Sequence, residues 1–95
     1  MTADPLNVHV LIEGRVQGVG YRAWCAGEAE ARNLSGWVRN RRSGAVEAVF
    51  FGPSDTVVDM LDVLWQGPSF ARVTTIKDLE PVAPENGLFA IRDTI

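Results

Sequence analysis

The sequence predicts an α+β sandwich in which two helices cover one face of an antiparallel sheet. Stretches of alternating apolar residues and stretches with helical spacing follow one another in the order β, α, β, β, α, β, β, which contains the split βαβ arrangement. The chain has 95 residues, and a domain of that size buries about 65% of its unfolded surface, enough for one core. Its single cysteine, Cys25, cannot form an internal disulfide, so packing alone must hold this small fold.

In residues 7–13, Val8, Val10 and Ile12 alternate with Asn7, His9, Leu11 and Glu13 and read as the first strand. Residues 1–6 precede that pattern as a loose leader, which leaves 7–95 as the domain. From Tyr21 or Arg22 to Arg32, Tyr21, Cys25 and Ala29 share a helical face, and Asn33 can take the left-handed conformation that ends a helix. SGWVRN (35–40) and AVEAVFFG (45–52) read as two strands joined by a turn at Ser43-Gly44, with Val46, Ala48 and Phe50 on one face. Gly52-Pro53-Ser54 breaks the second of these. Val57, Met60, Leu61 and Leu64 then keep the spacing of an amphipathic helix, which Gly67-Pro68 stops. Residues 72–79 and 88–92 are the last two strands, separated by the turn-rich EPVAPENG.

With 46% hydrophobic and 22% charged residues, the composition is that of a globular protein and excludes a disordered or fibrous chain. No apolar run approaches the roughly 20 residues that span a bilayer, and MTADPLN lacks the basic and apolar regions of a signal peptide, so a cytoplasmic protein with no membrane partner is expected. The net charge of −3 is unevenly spread: between Arg15 and Arg42 stand six arginines against Glu28 and Glu30, while the remainder holds three cations and ten acids. Such a chain repels a long polyanion such as nucleic acid and still admits a small anion.

The stretch best suited to a small anion is GRVQGVGYR (14–22). It leaves a strand and enters a helix, where unpaired N–H groups and the helix dipole favour negative charge. Arg22 stands in the first helical turn and can add a planar fork of donors. The glycines at 14, 18 and 20 do not fit G-x-G-x-x-G, and no lysine follows as a P-loop requires. His9 is the lone histidine and reads as a surface residue; no second ligand supports a metal. Cys25 follows Arg22, the reverse of the order in cysteine phosphatases, and reads as helix packing. Trp24, Trp37 and Trp65 are too scattered for a base-stacking platform.

GRVQGVGYR, followed by GWVRN ending eighteen positions after Arg22, resembles the two signature motifs of the acylphosphatase family, and the resemblance runs through WQGPSFARV (65–73) to the last strand. It implies a ferredoxin-like α+β sandwich that hydrolyses acyl phosphates to a carboxylate and inorganic phosphate with no metal and no cofactor. Carried onto this chain, the family's phosphate-binding arginine falls on Arg22. The loop amides of Val16, Gln17, Gly18, Val19, Gly20 and Tyr21 complete the cradle. The family's water-positioning asparagine falls on Asn40. Ser43 stands where aspartate is frequent and Asn33 where glycine is usual; both lie away from the motifs' chemistry. The implied partners are a small acyl phosphate and inorganic phosphate, and a monomer is expected. Two rivals stand beside this reading. A non-catalytic phosphoryl-binding module would not need a water-orienting amide, and an RNA-binding domain of similar topology would need a glycine-aromatic pattern that EAVFFG lacks.

Overall fold

The computed structural model describes residues 4–95. In chain order the elements are β1 (Pro5–Arg15), α1 (Tyr21–Ala31), β2 (Ser35–Asn40), β3 (Val46–Pro53), α2 (Ser54–Leu64), β4 (Arg72–Asp78) and β5 (Ala90–Ile91). They form one sheet in the order β4-β1-β3-β2-β5. Register explains the sidedness. Val10 lies opposite Ala48, which lies opposite Val38, and Ile12 lies opposite Val46, so these side chains share one face and all are fully buried. Both helices cover that face: Tyr21, Cys25 and Ala29 of α1 and Val57, Met60 and Leu64 of α2 join the same core. The spacing read from the sequence is thus the buried stripe of each helix.

One boundary and one pairing differ from expectation, and the last strand is shorter than residues 88–92, at Ala90–Ile91. β1 starts at Pro5, opposite Pro53, so Pro5 and Leu6 of the expected leader belong to the strand; residues 1–3 of that leader lie outside the described residues. The sheet is antiparallel through its first four strands, but β5 runs parallel to β2 over Trp37–Val38. The cause is the path of the chain. β4 and β5 occupy opposite edges, so the segment between them must cross the sheet, and it is fastened on the way by Asn7 Nδ2 donating to the Val82 carbonyl (2.5 Å), His9 Nδ1 meeting the Glu80 carbonyl (2.6 Å) and Ser35 Oγ donating to the Gly87 carbonyl (3.0 Å). β5 runs opposite to β4, as it would after a tight turn, but it is paired with β2, which also runs opposite to β4, and the two are therefore parallel. Phe89 enters the core on arrival and stacks on Phe50 at 5.5 Å.

Where β1 ends, its pairing with β4 shifts register between Glu13 and Gly14. Gly14 has φ +126°, and a Cβ there would lie 2.1 Å from the Arg72 carbonyl oxygen. Only glycine allows this bulge, which releases the chain from the sheet into the loop that follows.

Candidate active site

β1 and β2 both end at one edge of the molecule, and the loop from β1 into α1 closes over that edge. Gly18 and Gly20 sit at φ +75° and +79°, a backbone state costly for other residues. Gly20 is the N-cap of α1 and offers no side-chain cap, and the first backbone bond of the helix is Trp24 N–H to the Gly20 carbonyl at 3.0 Å. The N–H groups of Tyr21, Arg22 and Ala23 therefore have no intrahelical acceptor and form the positive end of the helix.

A cavity of about 310 Å³ opens there, lined by Val16, Gln17, Gly18, Gly20, Tyr21, Arg22 and Ala23 from the loop and helix, by Asn40 from the end of β2 and by Ile91 from β5. It brings together Arg22, Asn40 and five of the six expected loop residues. Val19 is the exception, since its side chain packs against the core. Tyr21 also sends its ring inward: it is 1% exposed, its hydroxyl donates to the Leu64 carbonyl at 2.6 Å, and burial pushes its phenol well above the usual range. What Tyr21 contributes to the cavity is backbone. Ala23 and Ile91 went unforeseen; Ile91 reaches the cavity because β5 runs parallel to β2.

Gln17 joins the two halves of the site. Its Nε2 donates to the Arg41 carbonyl at 2.7 Å and to the Ala45 carbonyl at 2.8 Å, so the loop is tied to the β2–β3 turn directly after Asn40. That turn is held from the other side of the sheet by Glu47, which is 3% exposed. Glu47 accepts from Arg39 Nε at 2.9 Å and Arg41 Nη1 at 3.1 Å and meets His9 Nε2 at 2.5 Å. Burial pushes the Glu47 carboxyl up, but the hydrogen bonds from Arg39, His9 and Arg41 outweigh it and hold the group below the usual carboxylate range. His9 is thus not a surface residue: only 10% of its side chain is exposed, and both ring nitrogens are engaged. Trp37 lies beneath this cluster with the guanidinium carbons of Arg39 and Arg92 at 4.6 and 4.9 Å from its ring.

The ion pairs of the described residues use His9, Arg32, Arg39, Arg41, Lys77 and Arg92 as cations. Arg22 is in none of them, so its charge faces the cavity uncompensated. Among the described residues no group of three His, Cys, Asp or Glu side chains is placed to hold a metal ion, and no helix is long and apolar enough to cross a membrane. Cys25 lies in the core, where burial pushes its thiol far above the usual range and leaves it unreactive. A helix N-terminus, a free guanidinium and a carboxamide converging on one cavity can bind a tetrahedral oxyanion and hold a water beside it.

The family model described as acylphosphatase matches residues 8–91. An acylphosphatase of Azorhizobium caulinodans is 56% identical over 81 residues, covering 85% of this chain and 87% of its own. Acylphosphatase 2 of Ralstonia nicotianae is 49% identical over 97 residues, covering 98% and 99%. Among solved structures, an acylphosphatase from Coxiella burnetii superposes with a TM-score of 0.85 at 34% identity, covering 94% of each chain.

Proposed function

The chain belongs to the acylphosphatase family and hydrolyses acyl phosphates to a carboxylate and inorganic phosphate, and from that premise we propose that Arg22 and the loop amides of residues 16–21 bind the phosphoryl group while Asn40 orients the attacking water, without a metal. The observation that supports this most is that Arg22 and Asn40, from different elements, line the same cavity as the N-terminus of α1.

The chemistry asks for little more. An acyl phosphate is a mixed anhydride whose leaving group is a carboxylate, already stable near neutral pH, so no strong general acid is required. What remains is to place the nucleophile in line and to stabilise charge on the equatorial oxygens of the phosphoryl group. The amides at the head of α1 and the Arg22 fork supply positive charge that is fixed before the reaction begins. The Asn40 carboxamide can accept from a water with its oxygen and donate to it with its nitrogen, which fixes the water's lone pair toward phosphorus. Magnesium would neutralise charge that Arg22 already meets.

The two roles separate experimentally. Arg22→Ala removes ground-state and transition-state contacts together, so phosphate affinity measured by calorimetry and turnover of benzoyl phosphate both fall, with about 1.5–3 kcal/mol lost per charged hydrogen bond. Arg22→Lys restores little, because an ammonium cannot reproduce the planar fork. Asn40→Ala cuts kcat by roughly 100-fold or more and leaves phosphate affinity near that of the parent. Full turnover in Asn40→Ala, or a loss of phosphate binding as complete as in Arg22→Ala, contradicts the division.

A further inference from the structure

Asn40 is the last residue of β2, and the end of a strand is where a backbone ordinarily frays. Here it is bonded on both sides. Toward β3, Asn40 lies opposite Val46, and Arg41 N–H donates to the Ala45 carbonyl at 2.8 Å. Toward β5, the segment that follows Ile91 continues along β2. Arg92 N–H donates to the Val38 carbonyl at 2.8 Å, Ile95 N–H donates to the Asn40 carbonyl at 3.2 Å, and a main-chain oxygen of Ile95 accepts from Arg42 N–H at 2.8 Å. The last two are the pair of bonds by which a residue of a parallel strand straddles its neighbour, in this case Arg41. Between these donors the segment advances from Arg92 to Ile95 while β2 advances only from Val38 to Asn40, so the ladder passes a bulge before it closes on Asn40. The same segment carries Ile91, which lines the cavity.

We propose that Ile95 is a positioning residue for the hydrolytic step, its main chain fixing the Asn40–Arg41 peptide and thereby the direction in which the Asn40 carboxamide points. The inference rests on the role given to Asn40 above. The Asn40 carbonyl lies in the rigid peptide plane next to the Cα that carries the carboxamide, so a bond to that carbonyl limits rotation of the residue. With Gln17 Nε2 on the Arg41 carbonyl at 2.7 Å, every main-chain polar group from the Asn40 carbonyl to the Arg42 N–H has a partner. The Ile95 side chain is half exposed, so what the residue offers the site is main chain. A water held in line for attack tolerates little tilt of the group that holds it.

The test compares three variants. Ile95→Pro lacks the N–H that reaches Asn40, Ile95→Ala keeps both main-chain bonds, and Ser35→Ala loosens the crossing segment before β5 by removing its bond to the Gly87 carbonyl. Rates on benzoyl phosphate, phosphate affinity by calorimetry and urea midpoints are measured for each, beside Asn40→Ala. Ile95→Pro is expected to lower kcat about fivefold or more and to leave phosphate affinity within about twofold of the parent. Ile95→Ala restores kcat, and Ser35→Ala lowers only the urea midpoint. A parental kcat in Ile95→Pro, where Asn40→Ala has lost turnover, overturns the positioning role alone. So does an equal loss of kcat in Ser35→Ala, which would mean general loosening, or a loss of phosphate affinity in step with kcat, which would move the effect to the cradle. Full turnover in Asn40→Ala overturns the reading of Asn40 and the positioning role with it.

Discussion

Gln17 shows how far a single side chain can set a site it does not touch chemically. Its amide satisfies the Arg41 and Ala45 carbonyls at once, and those carbonyls flank the turn that follows Asn40. Gln17→Leu keeps the volume and removes both bonds. The expected result is a stability loss of about 1–2 kcal/mol by urea denaturation and a drop in kcat of about tenfold, since a misplaced water costs rate more than affinity; unchanged kcat with the stability loss would assign Gln17 a purely structural part. The glutamine was legible in the sequence as a member of the loop, but not as the clamp, because its acceptors lie 24 and 28 residues away. Arg22 and Asn40 were singled out for the opposite reason: each belongs to a local motif, Arg22 to a glycine-rich loop that enters a helix and Asn40 to the GWVRN segment whose family resemblance implies its role, and both line the cavity. Tyr21 and Val19 stood in the same motif, yet burial decided where their side chains went.

The β2–β3 hairpin is the element whose integrity the site depends on. Its buried carboxylate, Glu47, draws together Arg39 from its own hairpin strand partner, Arg41 from the turn and His9 from β1. Because the folded protein holds Glu47 below the ordinary value of 4.5, the stability it contributes is fully present above that pH and is lost as pH falls through the lower, folded value. Urea midpoints measured between about pH 3 and 6 should therefore decline on the acid side, and Glu47→Gln should flatten that decline while lowering the midpoint near neutrality. A variant with the parent's full acid dependence would remove Glu47 from the account. No sequence pattern announces this cluster. Glu47 sits in a run of apolar residues and His9 in an ordinary alternation, and only the register that sets β1 beside β3 makes them partners. The parallel pairing of β5 was hidden likewise, since nothing in the turn-rich stretch before it says that β4 and β5 lie on opposite edges. The helices were plain from spacing because a helix's buried stripe is a local property.

At the scale of the whole molecule, the sheet sorts its charges by end and by face. Two helices seal one face and bury the core, the opposite face holds the Glu47 cluster, and the end where β1 and β2 finish carries Arg15, Arg22, Arg42 and Arg72 without carboxylate partners among the described residues. A chain of net charge −3 thereby presents a cationic mouth to a small anion, which raises its local concentration before any specific contact forms. In the proposed mechanism the positive charge needed by the transition state comes from Arg22 and the head of α1, both built into the fold. The most direct measurement is the initial rate of phosphate release from benzoyl phosphate by the purified protein, taken with EDTA present and again after adding excess magnesium. The account predicts hydrolysis at the same rate in both conditions, and a rate abolished by EDTA and restored by magnesium would contradict it.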